Sequence, residues 1–173
     1  MKIAQTLLAL GLFLAPPAAM ALQASPPEVE GAPIEIGTSY RFHSFVLDDT
    51  REVNVWLPIG YDKSQDRYPV LYLLDGGLDQ DFIHIAGLGH LASLSWTYGP
   101  MIVVGVQTND RRAELTSRPT DSRYLSAFPE SGGADKFRQF LREEVIPFVE
   151  KRLRTGKRRA IMGESLAGLF VVD

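Results

Sequence analysis

The chain of 173 residues contains no cysteine. That excludes disulfide staples, a thiol nucleophile and any zinc centre built on thiolates. Histidine is scarce as well, with three in total, at His43, His84 and His90. No stretch approaches the ~18 consecutive apolar residues of a membrane-spanning helix, and no internal repeat is visible. Strong charge of either sign is also missing. The formal net charge is −3, which gives no electrostatic reason to bind nucleic acid. The one basic run, Lys151 to Arg159, falls where a helix should end, and cations there are favoured by the helix dipole.

What is present begins with an export pattern. Lys2 is a positive n-region, Ile3 to Leu14 a short apolar stretch, and Ala19-Met20-Ala21 a small-x-small cleavage pattern. Residues 1–21 are therefore expected to be a signal peptide, and the protein to be exported, periplasmic or secreted. Residues 22–38, rich in Pro and Ala, are expected to form a flexible mature N-terminus, with no stable membrane span after cleavage. The remaining 39–173 are long enough for one modest core.

Two alternating runs, His43/Phe45/Leu47 and Val53/Val55/Leu57, flank Asp48-Asp49-Thr50 and predict a β-hairpin. Val70–Leu74 and Met101–Val106 are continuous apolar runs, as in strands buried on both faces. Arg159–Met162 is read as a third buried strand. Helices are expected over 81–94 and 134–154, the second amphipathic, kinked at Pro147 and capped by Gly156. Residues 107–132 between them are expected to be a long polar loop. Strands alternating with helices predict an α/β protein with a mainly parallel sheet, carrying an antiparallel hairpin at its N-terminal edge.

In such sheets, sites form at the carboxyl ends of the strands, and two of the predicted strands end in glycine-rich turns. The second is Gly163-Glu164-Ser165-Leu166-Ala167-Gly168. A strand before it, a helix after it and small residues around the serine are the requirements of a nucleophile elbow. Gly163, Ala167 and Gly168 supply the small flanks, although Ala stands at 167 where Gly is more usual. Ser165 is then the candidate nucleophile, with the Leu166 N–H as an oxyanion donor. The loop Asp75-Gly76-Gly77-Leu78 is the candidate for the second donor, Gly77 first and Leu78 next. Arg111 and Arg112 could meet a polar or anionic substrate, or pair with Asp110 and Glu114 instead. Tyr124 and Phe128 are candidates for a lid wall.

Several segments together resemble the esterase family of α/β-hydrolases of the esterase D and siderophore esterase-like kind. They are 52-EVNVWLPIGYD-62, 68-YPVLYLLDGG-77, 101-MIVVGVQTNDRRAELT-116, 135-DKFRQFLREEVIPFVEKRL-153 and 163-GESLAGLF-170. The resemblance implies the α/β-hydrolase fold, a Ser–acid–His triad, carboxylic ester hydrolysis through an acyl-enzyme, and no metal or cofactor. It implies a small-molecule ester substrate, of siderophore-like or acyl-sugar type. An acyltransferase of the same fold and a catalytically dead binding protein are the alternatives.

The triad of that fold runs serine, acid, histidine along the chain. Here all three histidines precede Ser165, and they are expected to be packing or surface residues. Asp75, Asp79 and Asp81 resemble part of a calcium loop, but Ala86 stands where its closing glutamate belongs. The expectation is thus the N-terminal portion of an esterase domain, truncated after the elbow and inactive as it stands.

Overall fold

A computed structural model of the chain describes residues 30–95 and 97–173. The expected signal peptide at 1–21 lies outside the described residues, as does the flexible segment as far as 29. Residues 30–37 have no regular structure and are exposed. From Thr38 onward the elements are β1 (Thr38–Ser44), β2 (Asp49–Trp56), β3 (Tyr68–Leu74), α1 (Phe82–Leu94), β4 (Ile102–Val106), α2 (Arg111–Leu115) and α3 (Ser122–Ala127). There follow α4 (Ala134–Phe140), a π-helical segment (Leu141–Val145), α5 (Ile146–Arg152), β5 (Thr155–Met162) and α6 (Leu166–Val172).

The five strands form one mixed sheet in the order β1-β2-β4-β3-β5. β1 and β2 form the expected antiparallel hairpin, with Phe42 opposite Arg51. The expected run His43/Phe45/Leu47 is not its buried face: residues 45–48 are the turn, His43 and Phe45 are exposed, and Tyr40, Phe42 and Ser44 face the core instead. β2 joins β4 antiparallel, while β3 pairs in parallel with β4 and with β5. Alternation along β3 shows why its run is apolar throughout. Val70, Tyr72 and Leu74 share the larger core with Phe137, Phe140, Val145 and Val149 from α4 to α5. Leu71 faces the other way, in a smaller core with Trp56, Phe82, Ala86 and Val103 on the α1 side. Helices on both faces of a parallel core are the α/β-hydrolase arrangement.

Several sequence expectations are corrected. β5 begins at Thr155, four residues earlier than expected, so Gly156 lies in a strand and caps no helix. Leu153, in extended conformation, ends α5 instead. Among the described residues β5 stands at the sheet edge rather than between two strands, and Arg158 to Met162 are exposed. Residues 107–132 hold α2 and α3 rather than a plain loop. Just before Pro147 the α-helix gives way to the π-helical segment, and α5 starts again with the proline in its first turn. Proline has no N–H to donate, and widening the preceding turn accommodates the missing bond.

Candidate active site

Three strand ends converge. β3 runs into Asp75, β4 into Gln107 and Thr108, and β5 into Gly163. Parallel pairing of β3 with both neighbours brings these carboxyl ends to one rim. A cavity of about 320 Å3 opens there, lined by Asp75, Gln80, Asp81, Arg111, Glu164 and Ser165.

Ser165 occupies the turn between β5 and α6 with φ 54° and ψ −115°, a region that non-glycine residues rarely adopt. Its neighbours are small because the turn is tight. A Cβ on Gly163 would lie 2.6 Å from the Ala167 carbonyl carbon, and one on Gly168 would lie 3.0 Å from the Gly163 oxygen. Ala167 is fully buried, whereas Ser165 is exposed. Backbone bonds Ala167 N to Glu164 O and Leu169 N to Ser165 O, both 3.0 Å, start the helix directly from the serine. Leu166, the first helical residue, is half-buried.

The loop after β3 is the second wall. Asp75 also has positive φ, at 52°, and is 5% exposed. It receives Arg111 Nε on Oδ2 at 2.8 Å and the Thr108 hydroxyl on Oδ1. The Gly76 backbone lies hard against β4, where an added Cβ would stand 2.2 Å from the Gly105 Cα. Gly76 N donates to Val106 O at 2.9 Å, and buried Asn54 Nδ2 donates to Gly76 O at 2.9 Å. The Gly77 N–H donates to Gln80 Oε1 at 2.9 Å.

Arg111 and Arg112 part company. Arg111 reaches the cavity through Asp75 and does not pair with Asp110 or Glu114. Arg112 lies outside the cavity, 3.8 Å from the Phe128 ring centroid and 3.7 Å from Glu130. Asp110 caps α2, accepting from the Arg112 and Ala113 amides. Glu114 binds the buried Arg51 Nη2 at 2.7 Å and accepts from Asn109 N at 3.1 Å, pinning the turn that carries Arg111. Burial works against the Arg51 charge, but Glu114 and Asp49 outweigh it and move its pKa further up.

No histidine lines this cavity. His84 and His90 are exposed on α1, and His43 lies 3.7 Å from Asp48 at the hairpin. Tyr124 is exposed on α3 and Phe128 is covered by Arg112, so neither lines the cavity. Among the described residues no cluster of His, Asp and Glu could hold a metal ion. Sequence reasoning missed Gln80, Thr108 and Glu164 as parts of the site. Gln80 lies three residues beyond Gly77, a spacing that permits a side chain to reach back to an amide, but this alone would not single it out.

A strand–serine–helix elbow opposite a glycine loop, at the carboxyl ends of a mainly parallel sheet, defines an α/β-hydrolase. Residues 44–172 match the profile of the family described as Putative esterase, and the chain belongs to that family. It is 34% identical over 140 residues to the apo-salmochelin esterase of Escherichia coli O6:H1, covering 73% of this chain and 43% of that protein. It is 30% identical over 123 residues to the ferri-bacillibactin esterase BesA of Bacillus subtilis, covering 61% and 42%. Among solved structures, an IroE-like serine hydrolase from Shewanella oneidensis superposes with a TM-score of 0.65 at 33% identity, over 78% of this chain and 44% of that one. The chain thus spans less than half the length of these relatives.

Proposed function

We propose that this chain carries the nucleophile and the oxyanion wall of an exported serine esterase acting on small-molecule carboxylic esters. The observation that carries this reading is Ser165, held at positive φ on the β5–α6 turn and exposed to the cavity that Asp75 and Arg111 also line. Ser165 Oγ attacks the ester carbonyl, the Leu166 and Gly77 amides take the oxyanion, and the alcohol leaves to give an acyl-serine. Water then releases the acid and restores the hydroxyl. Arg111, fixed by Asp75, is placed to meet polar or anionic groups of the substrate. A siderophore-like ester is the substrate class favoured, because relatives at 34% and 30% identity are named salmochelin and bacillibactin esterases. Export rests on the pattern in residues 1–21.

A serine hydroxyl needs a proton acceptor, and no imidazole lines the cavity. In this reading the histidine and acid come from outside these 173 residues. Hydrolysis of a p-nitrophenyl ester by the 173-residue chain should then not exceed that of its Ser165→Ala variant. In the product of the whole reading frame, Ser165→Ala should lower kcat by at least about a thousandfold. Serine-dependent turnover by the short chain would overturn the external base. Full activity of Ser165→Ala in the whole product would overturn the nucleophile.

A further inference from the structure

The Gly77 amide is not free. Its N–H, the second oxyanion donor of the proposed site, is taken by Gln80 Oε1 at 2.9 Å. Gln80 lines the same cavity as Ser165. Its amide nitrogen is held in turn, donating to Thr108 O at 3.0 Å and to Thr108 Oγ1 at 3.1 Å. Its oxygen also accepts from the Thr108 amide at 3.4 Å, so the carboxamide is oriented between Gly77 and Thr108, which lies just beyond β4.

We propose that Gln80 is a built-in stand-in for the substrate oxyanion, occupying the Gly77 donor until a charged oxygen displaces it. This inference rests on the oxyanion role proposed above. Its physical basis is the difference between neutral and charged acceptors. A sheltered N–H left without a partner costs free energy, so a neutral carboxamide satisfies the loop in the resting state. An oxyanion forms a charge-assisted bond roughly twice as strong, and so takes the donor over. The ester carbonyl of the ground state has no such advantage. The exchange therefore favours the transition state over the substrate.

The loop has further ties that do not use the Gln80 carboxamide. The loop is tied independently by Gly76 N to Val106 O, Asn54 Nδ2 to Gly76 O and Asp81 N to Asp75 O, each 2.9 Å. Asp75 adds its bonds from Thr108 and Arg111. Removing the carboxamide oxygen should unmask the Gly77 amide and leave the loop in place. A residue that merely tethered the loop would give the opposite result, a looser and weaker anion site.

The test compares the wild-type chain with Gln80→Met, which keeps the bulk and loses the acceptor, and with Gln80→Ala. Amide resonances of the folded sheet serve as the control for intact structure. Amide hydrogen exchange is read at Gly77, and methyl phenylphosphonate, a singly charged tetrahedral anion, is titrated while the Gly77 and Leu166 amides are followed. In both variants Gly77 should exchange at least about tenfold faster. The probe should bind roughly three- to tenfold more tightly than in wild type, the worth of one displaced neutral hydrogen bond. Unchanged Gly77 exchange in both variants, or equal or weaker probe binding with the sheet intact, overturns the stand-in and leaves the esterase reading standing. If saturating probe moves neither Gly77 nor Leu166 in any of the three forms, the oxyanion site itself falls, and the stand-in with it.

Discussion

Tyr72 is a buried residue whose hydroxyl has no hydrogen-bond partner among the described residues. Burial pushes its pKa up to about 12, with Arg159 pulling down and Glu150 pushing up more weakly. The folded value lies above the ordinary 10, so the neutral phenol is the form that folding favours. Its contribution is intact below pH 10 and is lost as pH climbs through about 12. Tyr72→Phe should remove the highest step of an ultraviolet tyrosinate titration. Stability at neutral pH should change by less than about 1 kcal/mol, because no bond is broken. A loss of several kcal/mol on denaturant unfolding would show that the hydroxyl is bonded after all. Ser165 and Asp75 illustrate a different residue-scale matter. Both adopt positive φ without being glycine, and each is held there by its surroundings, the small flanks in one case and Arg111 with Thr108 in the other.

Among the elements, the π-helical segment is held by more than a proline. Glu144 on that segment accepts from the Phe45 amide at 2.8 Å, the Val46 amide at 3.1 Å and the Ser44 hydroxyl at 2.5 Å. It thereby closes the β1–β2 turn from a position about a hundred residues away in sequence. Ser44 Oγ accepts the Leu47 amide at 3.0 Å and completes the turn. Glu144→Ala should cost about 2 kcal/mol, since the turn's donors lose a charged acceptor. The measurement is the denaturant midpoint, with hydrogen exchange at Phe45 and Val46 rising ahead of global unfolding. An unchanged midpoint would mean that water replaces the carboxylate without cost. The sequence made Pro147 visible, but not Glu144, because nothing local to 141–145 reveals a hairpin turn beside it.

Among the described residues the sheet has two edges, β1 and β5. β5 is an edge strand with Ile161 and Met162 each 41% exposed, and Leu169 and Val172 of α6 are exposed as well. Unpaired edge strands with apolar side chains recruit other chains. The purified 173-residue chain is expected to self-associate in a concentration-dependent manner, and Ile161→Lys to suppress this in sedimentation experiments. A chain that sediments as a monomer at every concentration would refute the expectation. The larger core, by contrast, is closed. Val53, Val104, Phe137, Phe140, Val145 and Val149 are all fully buried between the sheet and α4–α5.

Alternation at Val53 and Val55 and continuous apolar runs in the sequence determined β2, the parallel strands at 70–74 and 102–106, and the amphipathic helix, because each pattern reports which faces must leave water. The run His43/Phe45/Leu47 misled, since its last two residues form the turn. The tight strand-to-helix turn at Ser165 was legible for a related reason. Glycine and alanine at 163, 167 and 168 record a local steric demand, which the chain meets within six residues. Tertiary structure alone decided that β5 lies beside β3, that Arg111 rather than Arg112 reaches the cavity, and that Gln80 holds the Gly77 amide. Each of these depends on partners far apart in the chain, such as Asp75 with Arg111 or Gln80 with Thr108. A single sequence specifies which groups must be buried or bonded, and only packing the strands side by side specifies with whom.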